Sequence, residues 1–215
     1  MKRCLAILST LVALTLAAPL TATAAPGDSS AGSGLSAADR ATTQRLIAQA
    51  DSLPIQADPK ASTGGVMPMK AYGSYSKRKG VILVTSDFLK GLIPTGHAAI
   101  GYSSTKVIES VAEGVVKGPH NWNTSKTQSY QVTTKGTTTK EDAKAADWAA
   151  SKLGKPYNYN YLNTSTRKKF YCSQLVWASF LDNFDIDLNT WVFLNAVHPM
   201  ELVNNDKVTL IYRKK

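Results

Sequence analysis

The chain has 215 residues and a formal net charge of +10. That length suits one domain plus an extension, and the positive balance draws the protein toward anionic surfaces such as cell-wall polymers, lipid head groups or nucleic acid. There is no internal repeat, no basic stripe with interleaved aromatics and no Gly-rich phosphate loop. Repeat architectures are thereby excluded, and no nucleic-acid partner is expected.

Lys2 and Arg3 precede an apolar run from Leu5 to Ala18, and Ala22-Thr23-Ala24 supplies small residues where a signal peptidase reads. The run is shorter than the about 20 residues of a spanning helix. Residues 1–24 therefore read as a signal peptide cleaved between Ala24 and Ala25. The processed protein is expected to be secreted, extracellular or cell-wall associated, without a transmembrane segment. Cleavage removes Lys2, Arg3 and Cys4, which lowers the formal charge from +10 to +8 and leaves Cys172 as the one cysteine. Export usually means an oxidising compartment where cysteines pair. An odd one is an intermolecular bridge, a reactive thiol or a small buried hydrophobe.

Ala25 to Gly34 is small and polar and reads as a linker. Ser36-Ala37-Ala38-Asp39 has the form of a helix cap, and Leu46, Ile47, Ala50 and Leu53 follow at helical spacing. Pro54, Pro59, Gly64, Gly65 and Pro68 make the next stretch irregular. Residues 25–70 are thus a linker, a short helix and an irregular extension, serving as a pro-segment, a spacer or a helix packed on the domain. Residues 71–215 are the domain itself.

From Gly80 the pattern changes. Val81 to Ser86 is a β-branched run of the kind that forms a buried strand. His97 to Val111 reads as two strands around a Ser/Thr turn, with Gly114 to Gly118 continuing the second; Tyr130 to Thr134 is another candidate. Thr139 to Gly154 reads as a helix with Ala143, Ala146, Ala150 and Leu153 on one face and Gly154 as its stop. Tyr157 to Arg167 is a Tyr/Asn-rich loop, a helix beginning at Cys172 follows, and Lys207 to Arg213 closes as a strand. Strands, then helices, then a last strand predict an α+β fold.

Cys172, Leu175, Val176, Ser179 and Phe180 share one helical face, with the thiol in the first turn. Unpaired backbone N–H groups and the dipole at a helix start favour a thiolate, and the same donors suit the oxyanion of an attacked carbonyl. A buried structural cysteine fits that position too. A thiolate nucleophile needs a base, and there are three histidines. His97 lies among Gly96, Ala98 and Ala99, which leave room for another side chain. His120, in KGPHNWNTS, reads as exposed, and His198 before Pro199 as a cap or a surface residue.

The pieces GHAAIGYSSTKVIESVAEGVV, GKPYNYN and FYCSQLVWASF, with VILVTSDF before them, resemble the circularly permuted papain-like enzymes of the YiiX/YycO-like group. These are relatives of NlpC-type cell-wall peptidases. The resemblance covers about Gly80 to Leu202, and His97 precedes Cys172 by 75 residues, in the permuted order. Val81 stands where the family more often has an aspartate.

The resemblance implies an antiparallel sheet packed against helices, with the nucleophile at a helix N-terminus. It implies Cys172 as nucleophile, His97 as general base and acid, and Glu109 as the residue that orients the imidazole. A three-residue turn at Ser103–Thr105 sets Ala99 opposite Glu109 and His97 opposite Val111, so that Glu109 is a diagonal neighbour of His97. A two-residue turn would move it to the other face, and Glu113 is the second candidate. Tyr171 and Ser173, beside the thiol, and Tyr157 in GKPYNYN are expected to line the substrate cleft. No metal and no organic cofactor is implied. The expected activity is amide hydrolysis, with a peptidoglycan peptide as substrate and an anionic cell-wall surface as partner. The alternatives are a lipid or N-acyl amide hydrolase or acyltransferase, and an inactive wall-binding module.

Overall fold

The run around Val81 forms β1 (Ile82–Thr85), and all four residues are buried because strands flank it on both sides. This is a computed structural model that describes residues 36–61, 72–87 and 96–215, all within one compact unit. The expected signal peptide and linker, and the stretch around Gly64, Gly65 and Pro68, lie outside the described residues.

β2 (His97–Gly101) and β3 (Lys106–Val111) form the expected hairpin around Ser103–Thr105. Gly114 to Pro119 does not continue β3 but turns back as β4. Ala112 and Glu113 make a two-residue turn there, closed by Gly114 at φ +106°, a left-handed value that favours glycine. β5 (Ser129–Thr134) and β6 (Val208–Lys214) complete a six-stranded antiparallel sheet in the order β4-β3-β2-β1-β5-β6.

Alternation along the strands gives the sheet two apolar faces. Ile82, Val84, Ala98, Ile100 and Ile108 pack under helices α3 (Thr139–Ala150) and α4 (Cys172–Phe184). Val81, Leu83, Ala99, Val107 and Ile211 face the other way, against Trp122 of the one-turn helix α2 (Trp122–Ser125). The architecture is the α+β arrangement expected.

α3 opens on a capping box, in which Thr138 and Glu141 bond each other's backbone N–H. Its buried residues are Asp142, Ala145, Ala146 and Ala149, whereas the sequence pointed to Ala143, Ala146, Ala150 and Leu153. Leu153 lies past the helix and is exposed. Alanines occur all round this helix and carry little phase information, so the phase is decided by Asp142. That carboxylate bonds Lys60, Arg78 and Thr134 and is fully buried among them.

The N-terminal helix α1 (Ala37–Ser52) is capped by Ser36, whose hydroxyl accepts from Asp39 N–H. It lies against α5 (Glu201–Asn204) and buries Thr43, Leu46 and Ala50. Asn204 donates to Leu46 O, Arg213 to Ala50 O and Leu53 O, and Tyr130 to Asp51. The described part of this segment is a helix packed on the rest of the unit.

Candidate active site

β2 starts directly after Gly96, at φ +98°. A Cβ there would run into Thr85 O, so glycine lets the chain enter the sheet tight against β1, with His97 paired to Thr85. The pair Ala99–Glu109 in the β2–β3 ladder puts Glu109 on the same sheet face as His97. His97 Nε2 lies 2.6 Å from Glu109 Oε2. Gly118 on β4 makes the room, because a Cβ there would overlap Glu109 Oε1.

The ladder stops at Ala99–Glu109, and the expected pair His97–Val111 is not made. Beyond that point β2 and β3 offer their polar groups to the start of α4 instead. Ser110 Oγ donates to Phe170 O at 2.7 Å, and the Ala98 N–H bonds the sulfur of Cys172. The thiol, approaching from the helix-covered face, thereby meets the His97 side chain and hydrogen-bonds to it. With Nε2 held by Glu109, Nδ1 is the nitrogen left for sulfur.

Burial alone would push the His97 imidazolium down. The hydrogen bond and charge of Cys172, then those of Glu109, outweigh it and raise the pKa to about 9. Burial pushes the thiol up, but His97 outweighs this too, assisted by the Ala98 N–H and the Ser173 hydroxyl, and the thiol titrates below its ordinary value. The pair favours thiolate and imidazolium. At the first turn of α4 it stands beside backbone N–H groups that the helix leaves unpaired.

Trp122 stacks on the imidazole, with centroids 5.5 Å apart and planes at 29°. Its backbone N–H donates to the Tyr75 hydroxyl at 3.0 Å. Sequence reasoning missed this residue by reading KGPHNWNTS as an exposed loop. Both His120 and Trp122 are buried. The one available signal was a tryptophan in an otherwise polar stretch.

The other histidines are also inside, contrary to their sequence reading. His120 Nδ1 lies 2.8 Å from Ser103 O, because the β3–β4 hairpin folds its loop over the sheet. His198 accepts from Met200 N–H through Nδ1, lies 3.3 Å from Thr43 Oγ1 and stacks on Phe193. Burial pushes its pKa down to about 3, so it is neutral. Both nitrogens of His198 and Nδ1 of His120 are engaged away from the thiol. Glu113 sits exposed in the β3–β4 turn, while Glu109 makes the bond to His97.

Tyr171, Ser173 and Tyr157 surround the thiol but are buried themselves. The Tyr171 hydroxyl donates to Tyr161 O at 3.2 Å and accepts from Val197 N–H at 2.9 Å. Ser173 Oγ donates to Val197 O at 2.6 Å and lies 3.9 Å from Cys172 Sγ. Tyr157 bonds the Tyr161 side chain, and burial, then the Cys172 charge, push its phenol pKa up. Among the described residues no three His, Cys, Asp or Glu side chains converge as a metal site, and no helix is long and apolar enough to cross a membrane.

A family model described as permuted papain-like amidase enzyme, YaeF/YiiX, matches residues 81–212. The uncharacterized protein YycO of Bacillus subtilis (strain 168) is 32% identical over 137 residues, which are 62% of this chain and 55% of that protein. The chain therefore spans about half the length of that relative. The crystal structure of metalloprotein yiiX from Escherichia coli O157:H7 superposes on 64% of this chain and 97% of its own, with a TM-score of 0.50 and 15% identity. That likeness is one of fold.

Proposed function

This chain belongs to the permuted papain-like amidase family, and from that premise we propose that it is a secreted cysteine hydrolase acting on cell-wall peptides, a peptidoglycan endopeptidase or amidase. The observation that carries the proposal is the hydrogen-bonded series Glu109–His97–Cys172 at the first turn of α4.

The thiolate of Cys172 attacks the amide carbonyl, and the tetrahedral oxyanion accepts from backbone N–H groups at the helix start. The imidazolium of His97 gives its proton to the leaving amine as the C–N bond breaks, which leaves a thioester. Neutral His97 then takes a proton from water, hydroxide adds to the thioester, and the C–S bond breaks to release the acid and restore the thiolate. Glu109 holds the ring in one orientation and supports its charge. Trp122 covers one face of the ring. The signal-like start and the positive charge of the chain support a cell-wall substrate.

Digestion of purified peptidoglycan with mass analysis of the products tests this reading. Wild type should release fragments that each gain one water per bond cut, and Cys172→Ala should release none. Intact peptidoglycan alongside hydrolysis of an acyl amide would move the substrate to lipids. Equal release by both proteins would remove Cys172 from the reaction.

A further inference from the structure

Seven large apolar side chains stand exposed among the described residues, and five of them sit on two loops. Tyr159 and Leu162 belong to the loop before α4; Trp191, Val192 and Leu194 belong to the loop after it. One side chain ties both loops to the thiol. The Tyr171 hydroxyl, adjacent in sequence to Cys172, bonds Tyr161 O on one side and Val197 N–H on the other.

The second loop is built to hold its apolar residues out. The fully buried Glu201 carboxylate accepts from Thr190 Oγ1 and Val192 N–H through Oε1, and from His198 N–H through Oε2. Asn189 Oδ1 accepts from Trp191 N–H at 2.9 Å. Trp191 and Leu194 adopt φ +63° and +57°, left-handed values that bulky residues seldom take. Backbone strain and a buried carboxylate both serve to keep these side chains in water, a pattern that marks a functional surface.

Its shape and charge identify the partner. Leu194 keeps 73% of its surface exposed and Tyr159 62%, so they are projecting tips and not the walls of a cleft. Projecting Leu and Val enter a soft apolar medium, and Trp and Tyr suit its boundary with water. The positive net charge, +10 for the full chain and +8 after the expected cleavage, directs the protein to an anionic surface, and Lys168 and Lys169 lie between the first loop and Cys172. We propose that the two loops dock this protein on an anionic lipid surface. This surface is independent of the reaction proposed above and is tested apart from it.

The test uses residues 34–215, a compact unit that leaves out the apolar run Leu5–Ala18. The protein is sedimented with vesicles of phosphatidylglycerol or of phosphatidylcholine. It should bind the anionic vesicles about tenfold or more tightly than the neutral ones. The double variants Trp191→Ser/Leu194→Ser and Tyr159→Ser/Leu162→Ser should each weaken anionic binding by about tenfold, with the unfolding temperature held. Cys172→Ala should bind as wild type does. Failure of wild type to sediment overturns the proposal. So does unchanged binding in both double variants, which would leave charge alone as the cause. Vesicle binding that survives while hydrolysis of an acylated amide is lost would make the loops a substrate subsite, and overturns it as well.

Discussion

Both nitrogens of His97 are engaged, one by Glu109 and one by the thiol, so each partner can be tested alone. Cys172→Ala should lower turnover by about a thousandfold or more with the fold unchanged, since one small side chain replaces another. Activity within about tenfold of wild type would end the covalent role. Glu109→Gln should lower turnover strongly without abolishing it, because an orienting carboxylate attacks nothing. Glu113→Gln, in the exposed turn, should do less. Gly118→Ala should reproduce the Glu109→Gln defect, because its Cβ displaces the carboxylate from Nε2. Wild-type turnover should fall as pH rises through about 9, where the His97 imidazolium loses the proton the leaving amine needs. Glu109 contributes to raising that value, so in Glu109→Gln the falling limb should move to lower pH. A limb that stays in place would show that Glu109 does not act on His97.

At the scale of elements, the site depends on where β2 and β3 stop pairing. The turn at Ser103–Thr105 was readable, but the choice between two and three residues was open, and the ladder Ala99–Glu109 decided it and with it the face of Glu109. The end of the ladder was not readable, because it comes from α4 entering between the strands through Phe170 and Cys172. α3 shows the same limit. Its existence followed from composition and capping, but its phase came from Asp142, whose partners Lys60 and Arg78 lie 82 and 64 residues away in sequence. Asp142→Ala should therefore destabilise the fold by about 3–5 kcal/mol, since two nearly buried cations lose their carboxylate. A denaturant titration would read this as a lower midpoint, and an unchanged midpoint would refute the account.

At the scale of the whole molecule, α1 and the segment after it belong to the structure that holds the site. Thr43 lies against His198, and Gln56 N–H donates to Leu210 O in β6. Lys60 reaches the Asp142 cluster. A chain beginning at Gly64 loses all of these together with Leu46 and Ala50, and it should fail to fold or unfold at much lower denaturant. Leu46→Ala alone should cost about 2–5 kcal/mol, the usual range for truncating a buried leucine. Proteolysis that removes residues 36–61 and leaves a folded, active remainder would show this segment to be dispensable.

What the sequence by itself determined is local: the start of α4 at Cys172, a hairpin around Ser103–Thr105, and the succession of strands, helices and a last strand of an α+β fold. Those readings rest on periodicity, capping and turn residues, which act over a few residues. Only the tertiary structure decided that His120 and His198 lie inside, that Trp122 covers the imidazole, and that Tyr171 joins two loops beside the thiol. Burial and stacking depend on which distant segments meet. A polar stretch such as KGPHNWNTS looks the same on a surface as under a sheet until the hairpin beside it has folded over.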